Sequence, residues 1–122
     1  MNEGKIIKFY REKYQMTQEQ LGKGICSGTH ISKIERLHTE YAPEIITLLS
    51  ERLGINIETE LIKLNNIKNR LNHWHDVIVM QLFDEMDLIN HELEQEDLIQ
   101  ISDYIYLYKL LRVRYLLMHN LT

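Results

Sequence analysis

The sequence predicts an all-α protein: a head of five short helices over residues 1–65, followed by a long helical hairpin over residues 66–122. Three observations carry this. Apolar residues recur at intervals of three and four along most of the chain, which is the helical period. The chain has one proline and five glycines, a content that suits helices. Cap residues cut the first half into short pieces, whereas the second half has one polar break, at Glu94, Gln95, Glu96 and Asp97.

The first helix is expected from about Glu3 to Tyr14, burying Ile7, Tyr10 and Tyr14. Thr17 can cap the second, with Gln20 three residues on where a capping box wants Glu or Gln. Leu21 and Ile25 then fall on one face. Cys26 and Ser27 interrupt the run, and Ser27 suits the cap of a third helix whose buried side is Ile31 and Ile34. Gly28, Thr29, His30, Ser32, Lys33 and Arg36 are left off that core face. Gly28 has little packing value in a first turn, but it permits close approach of a phosphate or a base. Pro43 stands at the first position of a fourth helix, where its missing N–H costs nothing. That helix turns Ile46, Leu49 and Leu53 inward and stops at Gly54. Asn56 can cap a fifth, with Ile57, Leu61 and Leu64 inside.

Beyond Leu64 the pattern lengthens. Ile67, Leu71, Trp74, Ile78, Leu82, Met86, Ile89 and Leu93 form one stripe, predicting a single helix of about 28 residues. A second helix is expected from about Gln95 to His119. Its apolar positions are Leu98, Ile101, Ile105, Tyr108, Leu111, Tyr115 and Leu116, with Ile99, Tyr106, Leu107, Leu110, Val113, Leu117 and Met118 on other sides. One partner helix cannot cover so wide an apolar surface. The head, a second copy of the chain or further helices must do so.

The net charge of −4 hides a split. Residues 1–70 hold eleven Lys/Arg against nine Asp/Glu, while residues 71–122 hold three against nine. The basic end can meet phosphates, and the acidic half is better kept away from them. One cysteine excludes an intrachain disulfide. The N-terminus MNEGKIIKFYREK has no secretory pattern, and no run is apolar enough to span a membrane. A cytoplasmic location is expected by default.

Several chemistry-bearing residues read better as ordinary surface or core. His73 and His75 bracket Trp74, but residues two apart on a helix diverge and make a poor metal pair. Cys26 has no neighbouring histidine in the pattern to activate it. Asp84, Glu85 and Asp87 suit a solvated helix face better than acid–base work. No glycine-rich phosphate loop occurs. No enzyme, cofactor or metal is expected.

A short helix, a turn of a few residues and a second short helix make the helix-turn-helix layout. The run TQEQLGKGICSGTHISKIER, Thr17 to Arg36, resembles the Cro/lambda-repressor-type (XRE) helix-turn-helix family through its pattern TQEQL…I…S…IS.IE. The resemblance covers roughly residues 3 to 64 and implies a five-helix, lambda-repressor-like DNA-binding head. It implies that Gln18 touches the DNA backbone or a nearby base edge. It implies that Thr29, His30 and Lys33 face bases, within a recognition helix of about residues 27–36 that also carries Ser27, Gly28 and Arg36. It further implies a salt bridge between Arg11 and Glu35. Many members place Asn-Gly after the Ile-Glu pair; here Arg36-Leu37 stands there, so contacts from His38 and Thr39 do not carry over.

More narrowly, GICS…ISKIE resembles the DNA-binding head of peptide-sensing regulators of the PlcR and Rgg type, in which tetratricopeptide-like helix pairs follow. These resemblances imply a sequence-specific transcriptional regulator that binds double-stranded DNA as a homodimer. The C-terminal hairpin would then serve dimerisation, through Trp74, Ile78, Leu82, Ile105, Tyr108, Leu111 and Tyr115, or be a first tetratricopeptide-like pair. The alternative is a protein-interaction module acting through those helices: an antitoxin, or a truncated partner of a peptide-sensing regulator. A signalling peptide is a further possible partner. Operator sequence, and activation as against repression, are not written in one chain.

Overall fold

A computed structural model describes residues 3–36 and 41–120 of the chain. Among these residues the fold is all-α, with seven α-helices, one short 3-10 helix and no strand. The helices are α1 (Glu3–Lys13), α2 (Gln18–Gly22), α3 (Gly28–Glu35), α4 (Pro43–Leu53), α5 (Ile57–Val79), α6 (Phe83–Glu94) and α7 (Ile105–Asn120). Residues 37–40, and with them the expectation about His38 and Thr39, lie outside the described residues. The chain forms two compact units, Met1–Ile62 and Lys63–Thr122.

The N-terminal unit is built around Ile7, Leu21, Ile31, Ile34, Ile46, Leu49 and Leu53, with Tyr10, Met16, Ile25, Cys26, Tyr41 and Ile57 packed at its margin. Each helix is delimited by local chemistry. Thr17 and Gln20 form a reciprocal capping box, with Gln20 N donating to Thr17 Oγ1 at 3.0 Å and Thr17 N to Gln20 Oε1 at 2.8 Å. Pro43 opens α4, and Gly54 closes it in the left-handed conformation, φ +70°. Gly54 N donates to Glu51 O and Ile55 N to Ser50 O, the paired bonds of a Schellman motif. α1 ends the same way, but on Gln15 at φ +57°. Two expectations fail here. Tyr14 is exposed, because the chain turns away at Gln15. Ile25 belongs to no helix: α2 ends at Gly22, and Ile25 reaches the core margin from the turn.

The second half departs further. No break separates a fifth helix from the next one: α5 runs unbroken for 23 residues. Ile57, Leu61, Leu64, Ile67, Leu71 and Trp74 keep one helical register, and Asn65-Asn66 supplies neither proline nor glycine to interrupt it. The break comes instead inside the expected 28-residue helix. Gln81 sits at φ +58°, with Gln81 N donating to Ile78 O and Leu82 N to Val77 O. This is again a Schellman end, and it throws Leu82 out to solvent. The helix expected from Gln95 starts only at Ile105. Residues Asp97–Ile101 wind as a 3-10 helix that buries Leu98 and Ile99. Ser102 Oγ donates to Ile99 O at 2.8 Å and accepts from Tyr104 N at 3.3 Å. Such local serine bonds compete with helix formation.

Within the C-terminal unit, Trp74 is fully buried. Its Nε1 donates to Met86 O at 3.1 Å, and its ring lies 6.0 Å from that of Tyr108 and 5.5 Å from that of Tyr115. Tyr115 Oη donates to Asp87 Oδ1 at 2.6 Å, which ties α7 to α6. Arg70 Nη1 meets Glu96 Oε2 at 3.0 Å. No described helix is long and apolar enough to cross a membrane.

Candidate nucleic-acid interface

The site is made by the crossing of α2 and α3. Ser27 is the N-cap of α3, and its Oγ accepts from His30 N at 3.1 Å. One side of α3 is anchored by Ile31 and Ile34, both fully buried, and by Glu35. Thr29, Lys33 and Arg36 are exposed on the other side. Their spacing of four and three puts them on one stripe of the helix. Arg36 is the C-cap, and its Nε donates to Ser32 O at 3.3 Å. The first turn of α3 carries no acidic residue of its own.

Two glycines let the helices approach. A Cβ on Gly22 would stand 3.2 Å from Ile31 Cγ1. A Cβ on Gly28 would stand 2.8 Å from Glu19 Cγ and 3.3 Å from Glu19 N. Gly28 therefore has a packing role against α2, contrary to the expectation that it has little. Between the helices, Gly24 turns the chain at φ +81°.

The stripe is held at a fixed attitude by a buried charge network. Arg11 Nε donates to Glu35 Oε2 at 2.6 Å and Arg11 Nη2 to Glu35 Oε1 at 3.0 Å. Arg11 Nη1 reaches Met16 O at 2.8 Å, which fixes the end of α1 as well. The hydrogen bond to Glu35 raises the Arg11 pKa above its ordinary value, so the guanidinium stays charged. Gln18 Nε2 donates to Glu35 Oε1 at 3.1 Å. Its amide is thus tied to the network and is half-buried rather than thrust out at the tip of α2.

His30 is also half-buried, and its Nε2 is shielded with no hydrogen-bond partner among the described residues. Cys26 is partly buried, and desolvation pushes its thiol pKa up, in the direction that disfavours the thiolate. Among the described residues, no three His, Cys, Asp or Glu side chains are grouped as a metal site would require.

One residue absent from the sequence reading belongs to this site. Arg52, on α4, donates through Nη1 to Leu21 O at 2.9 Å and also to Lys23 O. It satisfies carbonyls at the C-terminal end of α2 and at its cap, groups that the helix itself leaves without an intrahelical partner. An arginine in the last turn of α4 reads locally as a complement to that helix's own dipole, so nothing in the sequence points to α2.

The expected dimerisation residues are distributed differently from a surface. Trp74, Ile78, Leu111 and Tyr115 are buried inside the C-terminal unit itself, and Ile105 and Tyr108 are partly buried. Of the seven, Leu82 alone is exposed. Trp74 meets Met86 O on α6, and Tyr115 on α7 meets Asp87 on α6, so most of the stripe expected to face a partner chain is covered by the chain's own helices.

Residues 7–59 match the model of the Helix-turn-helix family. This part of the chain is a helix-turn-helix domain of the Cro (XRE) type. Such a domain implies DNA binding, and a regulator rather than an enzyme. No curated protein and no solved structure matches the chain.

Proposed function

We propose that the chain is a sequence-specific transcriptional regulator that binds DNA as a dimer and lays α3 in the major groove. The observation that carries this is the two-sidedness of α3. Ile31, Ile34 and Glu35 lock one side, while Thr29, Lys33 and Arg36 share an exposed stripe with no carboxylate in the helix's first turn. A helix of that form fits the groove and presents donors to base edges and phosphates. Thr29 and Lys33 take the base-facing role and Arg36 a phosphate. Gln18 and His30, partly withdrawn, act at the edge of the contact. Ser27 and Gly28 set the start and depth of the helix.

Selection of binding sites from random duplexes, followed by gel shift, tests the reading. Thr29→Ala or Lys33→Ala is expected to weaken the selected site by roughly ten-fold or more, since a good base contact is worth about 1–3 kcal/mol. Sequence-specific binding that both variants leave intact removes α3 from the role of reader.

A second reading is favoured by the broad exposed apolar surface of α7: a protein-interaction module, working through the C-terminal helices as an antitoxin or a regulator's partner. The closer likeness to PlcR and Rgg-type regulators rests on GICS…ISKIE and predicts that a short peptide alters DNA affinity.

A further inference from the structure

Helix α7 is apolar on two opposite sides. Leu111 and Tyr115 are buried within the C-terminal unit. Facing the other way, Tyr106, Leu110, Val113 and Leu117 are 78, 54, 55 and 58% exposed. Their spacing of four, three and four is the spacing of a helix-pairing seam. With Leu116, 45% exposed beside them, they present roughly 500 Å² of apolar surface. That is the size of the largest patch on a typical monomer, and such patches mark interaction sites.

The residues flanking the seam choose the occupant. α7 contains no acidic residue, and Lys109 and Arg114 are exposed on either side of the seam. A parallel second copy would set Lys109 of one chain against Arg114 of the other, and like charges in that position repel. An antiparallel second copy gives a different match. Its seam layers pair Tyr106 with Leu117 and Leu110 with Val113. Its flanking positions set Lys109 against Leu116 and Arg114 against Leu107. Each cation then lays its methylene stem over a leucine and keeps its charge in water. Lys109 already lies along the seam, with Nζ 5.5 Å from the centre of the Tyr106 ring.

We propose that α7 pairs antiparallel with α7 of a second copy, on a twofold axis passing between Leu110 and Val113. This deepens the dimeric reading given above, and it rests on that reading. The interface is isologous and closed, so it stops at two copies. About 1,000 Å² buried in total is the low end for a specific interface, so association at micromolar concentration is expected.

Light scattering on the whole chain tests it without DNA. The wild type is expected at twice the mass of one chain. Leu110→Glu with Val113→Glu is expected to halve that mass while helical circular dichroism stays unchanged, because both positions are exposed; melting falls only by the stabilisation that dimerisation supplied. Orientation is read in a Cys26→Ser background. The double variant Tyr106→Cys/Leu117→Cys is expected to give a disulfide-linked dimer on oxidation, and Tyr106→Cys alone is not. These cross-links remain decisive if the glutamate variant fails to fold.

A wild-type monomer overturns the proposal and assigns the face to a different protein, for which the basic flanks favour an acidic helix. A dimer that survives both glutamates places the interface elsewhere. Cross-linking by Tyr106→Cys alone makes the pairing parallel. Loss of DNA binding with the dimer intact would count against the DNA reading and leave this interface standing.

Discussion

Arg11 and Glu35 are joined by two hydrogen bonds, 2.6 Å and 3.0 Å long, that tie α1 to the last turn of α3. The Glu35 side chain is 2% exposed. Arg11→Ala would therefore leave a buried carboxylate with, among the described residues, Gln18 alone to answer it. Removing one partner of such a pair costs about 3 kcal/mol or more. Arg11→Ala is expected to lower the denaturant midpoint accordingly. Replacing both by apolar residues, Arg11→Met with Glu35→Leu, should recover much of the loss, since no charge is then stranded. A double variant no more stable than Arg11→Ala would show that Glu35 is not where the cost resides.

Gly28 makes a separate prediction, because its neighbour is a side chain that can be cut back. Gly28→Val forces a branched side chain against Glu19 and is expected to destabilise by about 1–3 kcal/mol. In a Glu19→Ala background the obstructing Cγ is gone, so the same substitution should cost less. The comparison is a double-mutant cycle read by urea unfolding. If Gly28 served only the approach of DNA, Gly28→Val would weaken DNA binding and leave unfolding where it was.

The contrast between these residues and others shows what a linear sequence can carry. Thr17, Gln20 and Ser27 act on backbone groups three residues away, so their spacing alone announces the capping bonds that the structure forms. Pro43 and Gly54 are equally local. The apolar periodicity also marks most of the head's core, because a face repeats every turn. Arg52 and the Glu19 contact of Gly28 are not local: each depends on how two helices cross. Gln15 and Gln81 are a third case. They hold left-handed backbone that glycine or asparagine would advertise, and glutamine does not. The break at Gln81 is what turns an expected hairpin into three helices, and Trp74, Ile78, Leu111 and Tyr115 from an expected interface into interior.

Two tyrosines predict an alkaline signature. Tyr41 is pushed up to about 12 by desolvation and by its hydrogen bond to Glu3, and Tyr115 to about 12 by desolvation and its bond to Asp87. An unfolded tyrosine titrates near about 10. Between those values the unfolded chain loses these protons while the folded chain keeps them. Their contribution to stability is therefore complete below about pH 10 and lost as pH rises towards about 12. Tyrosinate absorbance of the folded protein should show a late-titrating component that includes Tyr41 and Tyr115. Tyr41→Phe and Tyr115→Phe should each diminish it. A late step unchanged in Tyr115→Phe would mean that its bond to Asp87 does not persist in solution.

Gln81 supplies the most direct test of the helix break. A non-glycine residue in left-handed backbone costs roughly 1–2 kcal/mol, and glycine there returns part of that through the greater freedom of the unfolded chain. Gln81→Gly is thus expected to stabilise by about 0.5–1 kcal/mol, a rise of a few degrees in melting temperature. Gln81→Asn should recover part of the gain, because asparagine tolerates this conformation better than most residues. Gln81→Ala should recover none, since it keeps the Cβ that causes the strain. The order glycine, asparagine, alanine separates this cause from helix propensity, which would rank alanine first. Alanine as the most stabilising of the three would mean that α5 and α6 run on as the single helix predicted by the apolar stripe. Leu82 would then turn inward beside Ile78 and Met86.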